Sequence, residues 1–193
     1  YLSPKPNYGD ISEERMEEYR MMSAFVPSEI VHLKEIFDSA TANRDELTKE
    51  EFLAIKCIAI NPLKDRIALC FGYRKASLDF SEFLVGVSCF NAPGRRDQKL
   101  KIAFKIHDFD DDGEISKKDI ATYLEMVTKN GLSEEEISEI ADLVLAECLG
   151  DAPTAGVPYA DFHKIVAKLD FQAKLHIDFF RVASKPTASN MIS

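Results

Sequence analysis

Asp108, Asp110 and Asp112 stand at alternate positions, followed by Gly113, Glu114, Ile115, Ser116 and, after two lysines, Asp119. Short carboxylates spaced this way in a turn are donors for a hard divalent cation, which takes six to eight oxygens at about 2.3–2.6 Å. The three aspartates are expected to offer side-chain oxygens. Gly113 permits the sharp turn that brings the chain around an ion. Glu114 is expected to give its backbone carbonyl, with its side chain turned outward. Ser116 stands where a ligand often acts through water, and Asp119 would close the sphere from the first turn of a helix. Six acids face two lysines in this stretch. Without a cation they repel one another. A solvated acidic turn that caps a helix is the plainer reading. Agreement of acid spacing, glycine and Ile115 in one register favours the ion loop.

This stretch fits the twelve-residue EF-hand loop. Its closing residue departs from the usual Glu. Asp119 is one methylene shorter, so two-oxygen coordination is harder to reach. Fewer ligands favour the smaller octahedral ion, so the expectation is one site holding magnesium at rest and calcium more weakly.

Such a loop must be held by helices, and the chain repeats the necessary frame. An apolar residue, three others, an acid and an apolar residue recur at Leu47…Glu51-Phe52, Leu78…Glu82-Phe83, Ile115…Asp119-Ile120 and Val157…Asp161-Phe162. Apolar-periodic stretches flank each block, which predicts helix–loop–helix four times. Ile120, Tyr123, Leu124 and Val127 form one helical face. Ile137, Ile140, Ala141, Val144 and Leu145 form another. Thr48 with Glu51, Asp79 with Glu82, and more weakly Ser116 with Asp119 have capping-box spacing. The apolar residue four before each acid belongs in a short strand that pairs the loops two by two. Asn91-Ala92-Pro93-Gly94 punctuates the middle. The expected fold class is all-α, two lobes of paired EF-hands with short loop-pairing strands. The parts are an N-terminal extension at 1–24, a first lobe at 25–91, a second at 95–169 and a tail at 170–193.

The other three loops lack ligands. Ala40, Ala42 and Arg44 hold positions one, three and five of the first, unless Asp38 opens a longer fourteen-residue loop. Phe71, Tyr73 and Lys75 hold those positions in the second, and Gly150, Ala152 and Thr154 in the fourth. Asp151 could open a shifted fourth loop, but Phe162 would then close it.

Acids number 33 and bases 24, giving a net charge of −9 over 193 residues. That balance argues against nucleic acid and suits cations or basic partners. No apolar run reaches membrane-spanning length. No phosphate-binding, dinucleotide, nucleophile-elbow or zinc-protease motif occurs, and His32, His107, His163 and His176 are scattered, so no enzyme is expected. Cys57, Cys70, Cys89 and Cys148 lie far apart in apolar segments and read as reduced core thiols, which favours the cytoplasm. The chain starts at Tyr1, so a lipid at a natural N-terminus would not be visible.

Ala103-Phe104-Lys105-Ile106-His107-Asp108-Phe109-Asp110 resembles the calcium- and integrin-binding protein family, which also tends to carry Asp at the loop's end. Asn61-Pro62-Leu63-Lys64-Asp65-Arg66-Ile67, the stretch Glu14 to Ile30, and Leu175-His176-Ile177-Asp178-Phe179 resemble it too. Gly86-Val87-Ser88-Cys89-Phe90 and Gln98-Lys99-Leu100-Lys101 resemble calcineurin B and its homologues. Both groups usually keep a working fourth loop, which this chain lacks. A constitutive or magnesium-loaded adaptor is therefore expected over a calcium switch.

Paired EF-hands clasp an amphipathic helix of a partner. The candidate groove is Leu124, Val127, Ile140, Val144, Phe162, Ile165 and Leu169. The chain carries 13 Phe against 5 Met, which suits a groove fitted to one partner. The apolar tail from Leu169 to Val182 could lie across that groove, or simply pack. Three functions follow. The first is a noncatalytic adaptor on the tail of a membrane or cytoskeletal protein, reaching a membrane through that partner or through an N-terminal lipid. The second is a calcineurin B-like regulatory subunit of a phosphatase or ion exchanger. The third is an ion buffer, for which one loop is poor capacity.

Overall fold

The computed structural model describes residues 8–73, 76–91, 96–150, 156–166 and 179. Among these the order is α1 (Glu13–Ser23), α2 (Pro27–Thr41), β1 (Leu47–Thr48), α3 (Lys49–Ala54), α4 (Lys56–Ala59), α5 (Lys64–Cys70) and β2 (Ser77–Leu78). Next come α6 (Phe80–Asn91), α7 (Arg96–His107), β3 (Glu114–Ser116), α8 (Lys117–Thr128), α9 (Glu134–Leu149), β4 (Gly156–Pro158) and α10 (Tyr159–Val166). The expected all-α fold with loop-pairing strands is present. Leu47 pairs with Leu78, and Ile115 with Val157, both antiparallel.

Local chemistry sets the helix starts. The Thr48 hydroxyl accepts from the Glu51 amide, while the Glu51 carboxylate accepts from the Thr48 amide at 3.0 Å. Asp79 with Glu82 and Ser116 with Asp119 make the same reciprocal bonds, and Ser133 with Glu136 adds a fourth instance at the start of α9. These bonds satisfy amides that a helix leaves open at its first turn. The helix leaving the first loop is not continuous. Ile55 adopts φ −57° and ψ 125°, an extended conformation that separates α3 from α4. Ile55 is itself buried, so packing of its side chain wins over continuity of the helix.

The first lobe is built on aromatic rings. Phe37, Phe52, Phe83 and Phe90 are at most 1% exposed. The Phe71 ring stacks on Phe90 at 5.5 Å and lies 4.7 Å from Phe52. Helix α1 joins this core through Met16 and Tyr19. Phe179, the described residue of the tail, is fully buried there too, with its ring 5.9 Å from Phe83 and 6.4 Å from Phe71. At that residue the tail packs on the first lobe, not across the groove of the second. Helix α7 serves both lobes: Ile106 belongs to the aromatic core, whereas Phe104 packs with Ile115 and Val157 in the second.

The four cysteines are free thiols, each half-buried at the margin of the cores rather than inside them. Burial pushes the Cys70 thiol up to about 11. Among the described residues no helix is long and apolar enough to cross a membrane. The Ala92-Pro93-Gly94 punctuation, residues 151–155 of the fourth loop and the tail apart from Phe179 lie outside the described residues.

Candidate metal centre and groove

Asp108 opens the third loop just after α7 and is 5% exposed. One of its oxygens accepts from the Asp112 amide at 3.1 Å, the other from the Gly113 amide at 3.0 Å. The Asp112 carboxylate accepts from the Glu114 amide at 2.9 Å. These bonds curl the loop, with Asp111 at φ 58° and Gly113 at φ 91°. Glycine meets the second angle at no steric cost. The curl brings carboxylate oxygens of Asp108, Asp110 and Asp112 within 4.8 Å of one another. Burial pushes the Asp108 carboxyl above the usual range; the two amides oppose this, and the neighbouring Asp112 and Asp111 add to it. Three carboxylates converging in this way fit a hard divalent cation, which would offset their repulsion.

Asp119 stands apart from that trio. It is 2% exposed at the start of α8. One oxygen accepts from the Phe109 amide at 2.8 Å, across the mouth of the loop. The other accepts from the Ser116 amide at 2.8 Å and from the Ser116 hydroxyl. Burial alone would raise its pKa, but the Ser116 and Phe109 bonds outweigh it and hold the carboxyl below its ordinary value. Asp119 is thus ionised and tied to both ends of the loop. Ser116 is engaged with it, and Glu114 lies in β3 opposite Pro158. Of the six expected ligands, the structure gathers the carboxylates of Asp108, Asp110 and Asp112; Glu114, Ser116 and Asp119 are not part of that cluster.

An apolar cavity of about 280 Å³ opens beside the loop. Leu124, Ile140, Val144, Phe162 and Ile165 line it, as expected from their spacing, and so do Ile115 and Asp119 of the ion loop. Val127, near the end of α8, does not line it, and Leu169 lies outside the described residues. Leu143 and Val144 of α9 are 70% and 39% exposed, an apolar flank beside the cavity.

Sequence reasoning missed His107, Tyr123 and Cys148 in this wall. The His107 ring lies 4.9 Å from Tyr123, and its Nδ1 is 2.7 Å from the Ala103 carbonyl oxygen. Burial lowers its pKa, which favours the neutral ring, while the Ala103 carbonyl opposes that shift. A periodic apolar stretch ending in His was the available signal. Sequence reasoning also missed Arg66, a buried residue of α5 whose side chain reaches the third loop.

No family model matches the chain. Calcineurin B of Naegleria gruberi is 32% identical over 173 residues, covering 89% of this chain and 97% of that protein. Calcineurin B of Schizosaccharomyces pombe is 29% identical over 174 residues, with 89% and 99% covered. That of Candida glabrata is 36% identical over 102 residues, with 52% and 58% covered.

Proposed function

This chain belongs to the calcineurin B family of EF-hand proteins, and from that premise we propose that it is a noncatalytic regulatory subunit that holds one divalent cation and clasps an amphipathic helix of a partner. The family favours this reading over an adaptor for membrane-protein or cytoskeletal tails. The observation that carries it is the sharing of Ile115 and Asp119 between the ion loop and the wall of the apolar cavity. A change in the loop is a change in the groove. When bound, the cation supplies positive charge at the centre of the loop. Asp108, Asp110 and Asp112 would hold it, with Asp119 drawn from the loop's closing position. Leu124, Ile140, Val144, Phe162 and Ile165 then offer an apolar seat for anchors at helical spacing.

The short Asp119 side chain supports magnesium as the resting ion. Calorimetric titration decides it: sub-micromolar calcium affinity in millimolar magnesium would overturn that choice. For the partner, the test is co-purification with a calcineurin-type catalytic chain in cytoplasmic extract. Ile140→Asp with Phe162→Ala should abolish it. Retention of the catalytic chain by that variant, or failure of the wild-type chain to hold one, counts against the proposal.

A further inference from the structure

Arg66 is the charged member of a buried run in α5 that continues through Ile67 and Ala68. Only 9% of it is exposed. Its side chain leaves the first lobe and ends at the junction of α7 with the third loop. Nε donates to the Ile106 carbonyl and Nη1 to the Phe109 carbonyl, each at 3.4 Å. Nη2 donates to the carbonyls of Lys105 and Asp108 and lies 3.3 Å from the Asp111 carboxylate. The guanidinium also covers the Phe109 ring, 5.3 Å from its centroid. The last carbonyls of a helix have no partner within it. A guanidinium there satisfies several at once and meets the negative end of the helix dipole. A lysine would bring the charge without the planar fork.

We propose that Arg66 is a positioning residue for the ion loop and that it carries ion loading of that loop into α5 of the first lobe. This rests on the reading that Asp108 to Asp119 takes a divalent cation. Two effects oppose each other. The guanidinium is a like charge near the ion. It also fixes the backbone of Asp108 and Phe109, the first two positions of the loop, and so favours the arrangement in which the carboxylates converge. The charge is already met by Asp111 and the Phe109 ring, while no other donor is seen on the Asp108 carbonyl among the described contacts. Ordering therefore wins. A loop that is competent for only a fraction of the time binds more weakly by that fraction. By reciprocity, an ion that gains from the Arg66 contact must strengthen it.

Hydrogen exchange of the full chain, in magnesium chloride, in calcium chloride and in chelator, reads the coupling directly. The expected result is slower exchange at Lys64–Cys70 as well as across the loop when either metal is present. Unchanged exchange at Lys64–Cys70, with the loop protected, overturns the inference while leaving the ion site standing. Titration of Arg66→Lys and Arg66→Met with each metal alone should show affinities about 10-fold or more weaker, as for other residues that orient ligands. Wild-type affinity in Arg66→Lys, or tighter binding by Arg66→Met, overturns it too, because charge and not ordering would then rule. If the wild-type chain binds neither metal, the ion site fails and this inference with it.

Discussion

The first and third loops share a frame and solve the same electrostatic problem in opposite ways. In the third loop, converging carboxylates invite a cation from solution. In the first, Glu51 holds the closing position and pairs with the Arg44 guanidinium of its own loop. Arg44 also donates to the Thr41 carbonyl at 2.9 Å. That loop carries its cation covalently. The lobes differ in the same sense. The first has an aromatic core, with Phe179 among its rings, and a surface cleft of about 490 Å³ whose lining includes the polar and charged His32, Glu35, Glu51 and Lys56; the second has, among the described residues, a small core beside an apolar cavity. A loop whose charge is built in needs no ion from solution to hold its shape. On the proposed function, a lobe whose loop charge comes from solution would keep its shape conditional on that ion, which suits a partner's seat.

The largest effect that tests this contrast is a cavity in the aromatic core of the first lobe. Phe83 is 0% exposed, whereas Val144 is 39% exposed. Phe83→Ala should cost about 3–5 kcal/mol in denaturant unfolding, and Val144→Ala less than about 1 kcal/mol. Equal costs would break the distinction between the aromatic core of the first lobe and the exposed groove flank of the second.

Removing the charge source comes next. Ion binding stabilises the folded chain by about 2.7 kcal/mol at a ligand concentration 100-fold above Kd. Asp108→Ala with Asp112→Ala should erase the rise in melting temperature on adding magnesium or calcium. Glu51→Gln should leave that rise intact, because Glu51 pairs with Arg44 and the proposed ion site is the third loop alone. Loss of the ion response in Glu51→Gln would overturn the contrast between the two loops.

Packing in the aromatic core of the first lobe should also reject a single added methyl. A Cβ on Gly86 of α6 would come within 2.3 Å of the Phe71 ring. That ring is fixed by Phe90 and Phe52 and has little room to swing. Overpacking of this kind costs about 1–3 kcal/mol, which exceeds the gain of up to about 1 kcal/mol from replacing a helical glycine. Gly86→Ala is expected to lower the denaturation midpoint; a raised midpoint would show slack around Phe71.

Much of this contrast was legible in the sequence because it rests on short-range spacing. The acid four residues after an apolar residue located both strand pairs, Leu47 with Leu78 and Ile115 with Val157. Capping pairs marked the starts of α3, α6 and α8, and alternate aspartates marked the loop whose carboxylates converge. What spacing cannot encode is contact between distant segments. Arg66 meets residues about forty positions away, and Phe179 enters a core built from the other end of the chain. Ile55 breaks a helix with neither Gly nor Pro present, since burial of its side chain decides the backbone there. Arg44 and Glu51 were both visible in the first loop. Their pairing depends on how the loop folds, and counting ligand positions recorded Arg44 only as a missing oxygen.

The smallest effect separates the Arg44 pair from the helix cap that shares Glu51. The Thr48 amide is the main reason the Glu51 carboxyl lies below its ordinary value; burial opposes it, and the Thr48 hydroxyl and Arg44 add to the lowering. A lowered folded value means that the ionised form is favoured by folding. The resulting stability is complete above the unfolded carboxylate value and is lost as pH falls through the lowered folded one. Arg44 is 55% exposed, so Arg44→Ala should cost no more than about 1 kcal/mol. Glu51 should still titrate below its ordinary value in that variant, because the Thr48 bonds remain. Carboxyl-carbon NMR titration over about pH 3–6, together with urea melts, measures both quantities. If Arg44→Ala returns Glu51 to its ordinary value, the internal cation and not the helix cap governs the closing acid, and the built-in charge of the first loop is stronger than its exposure implies.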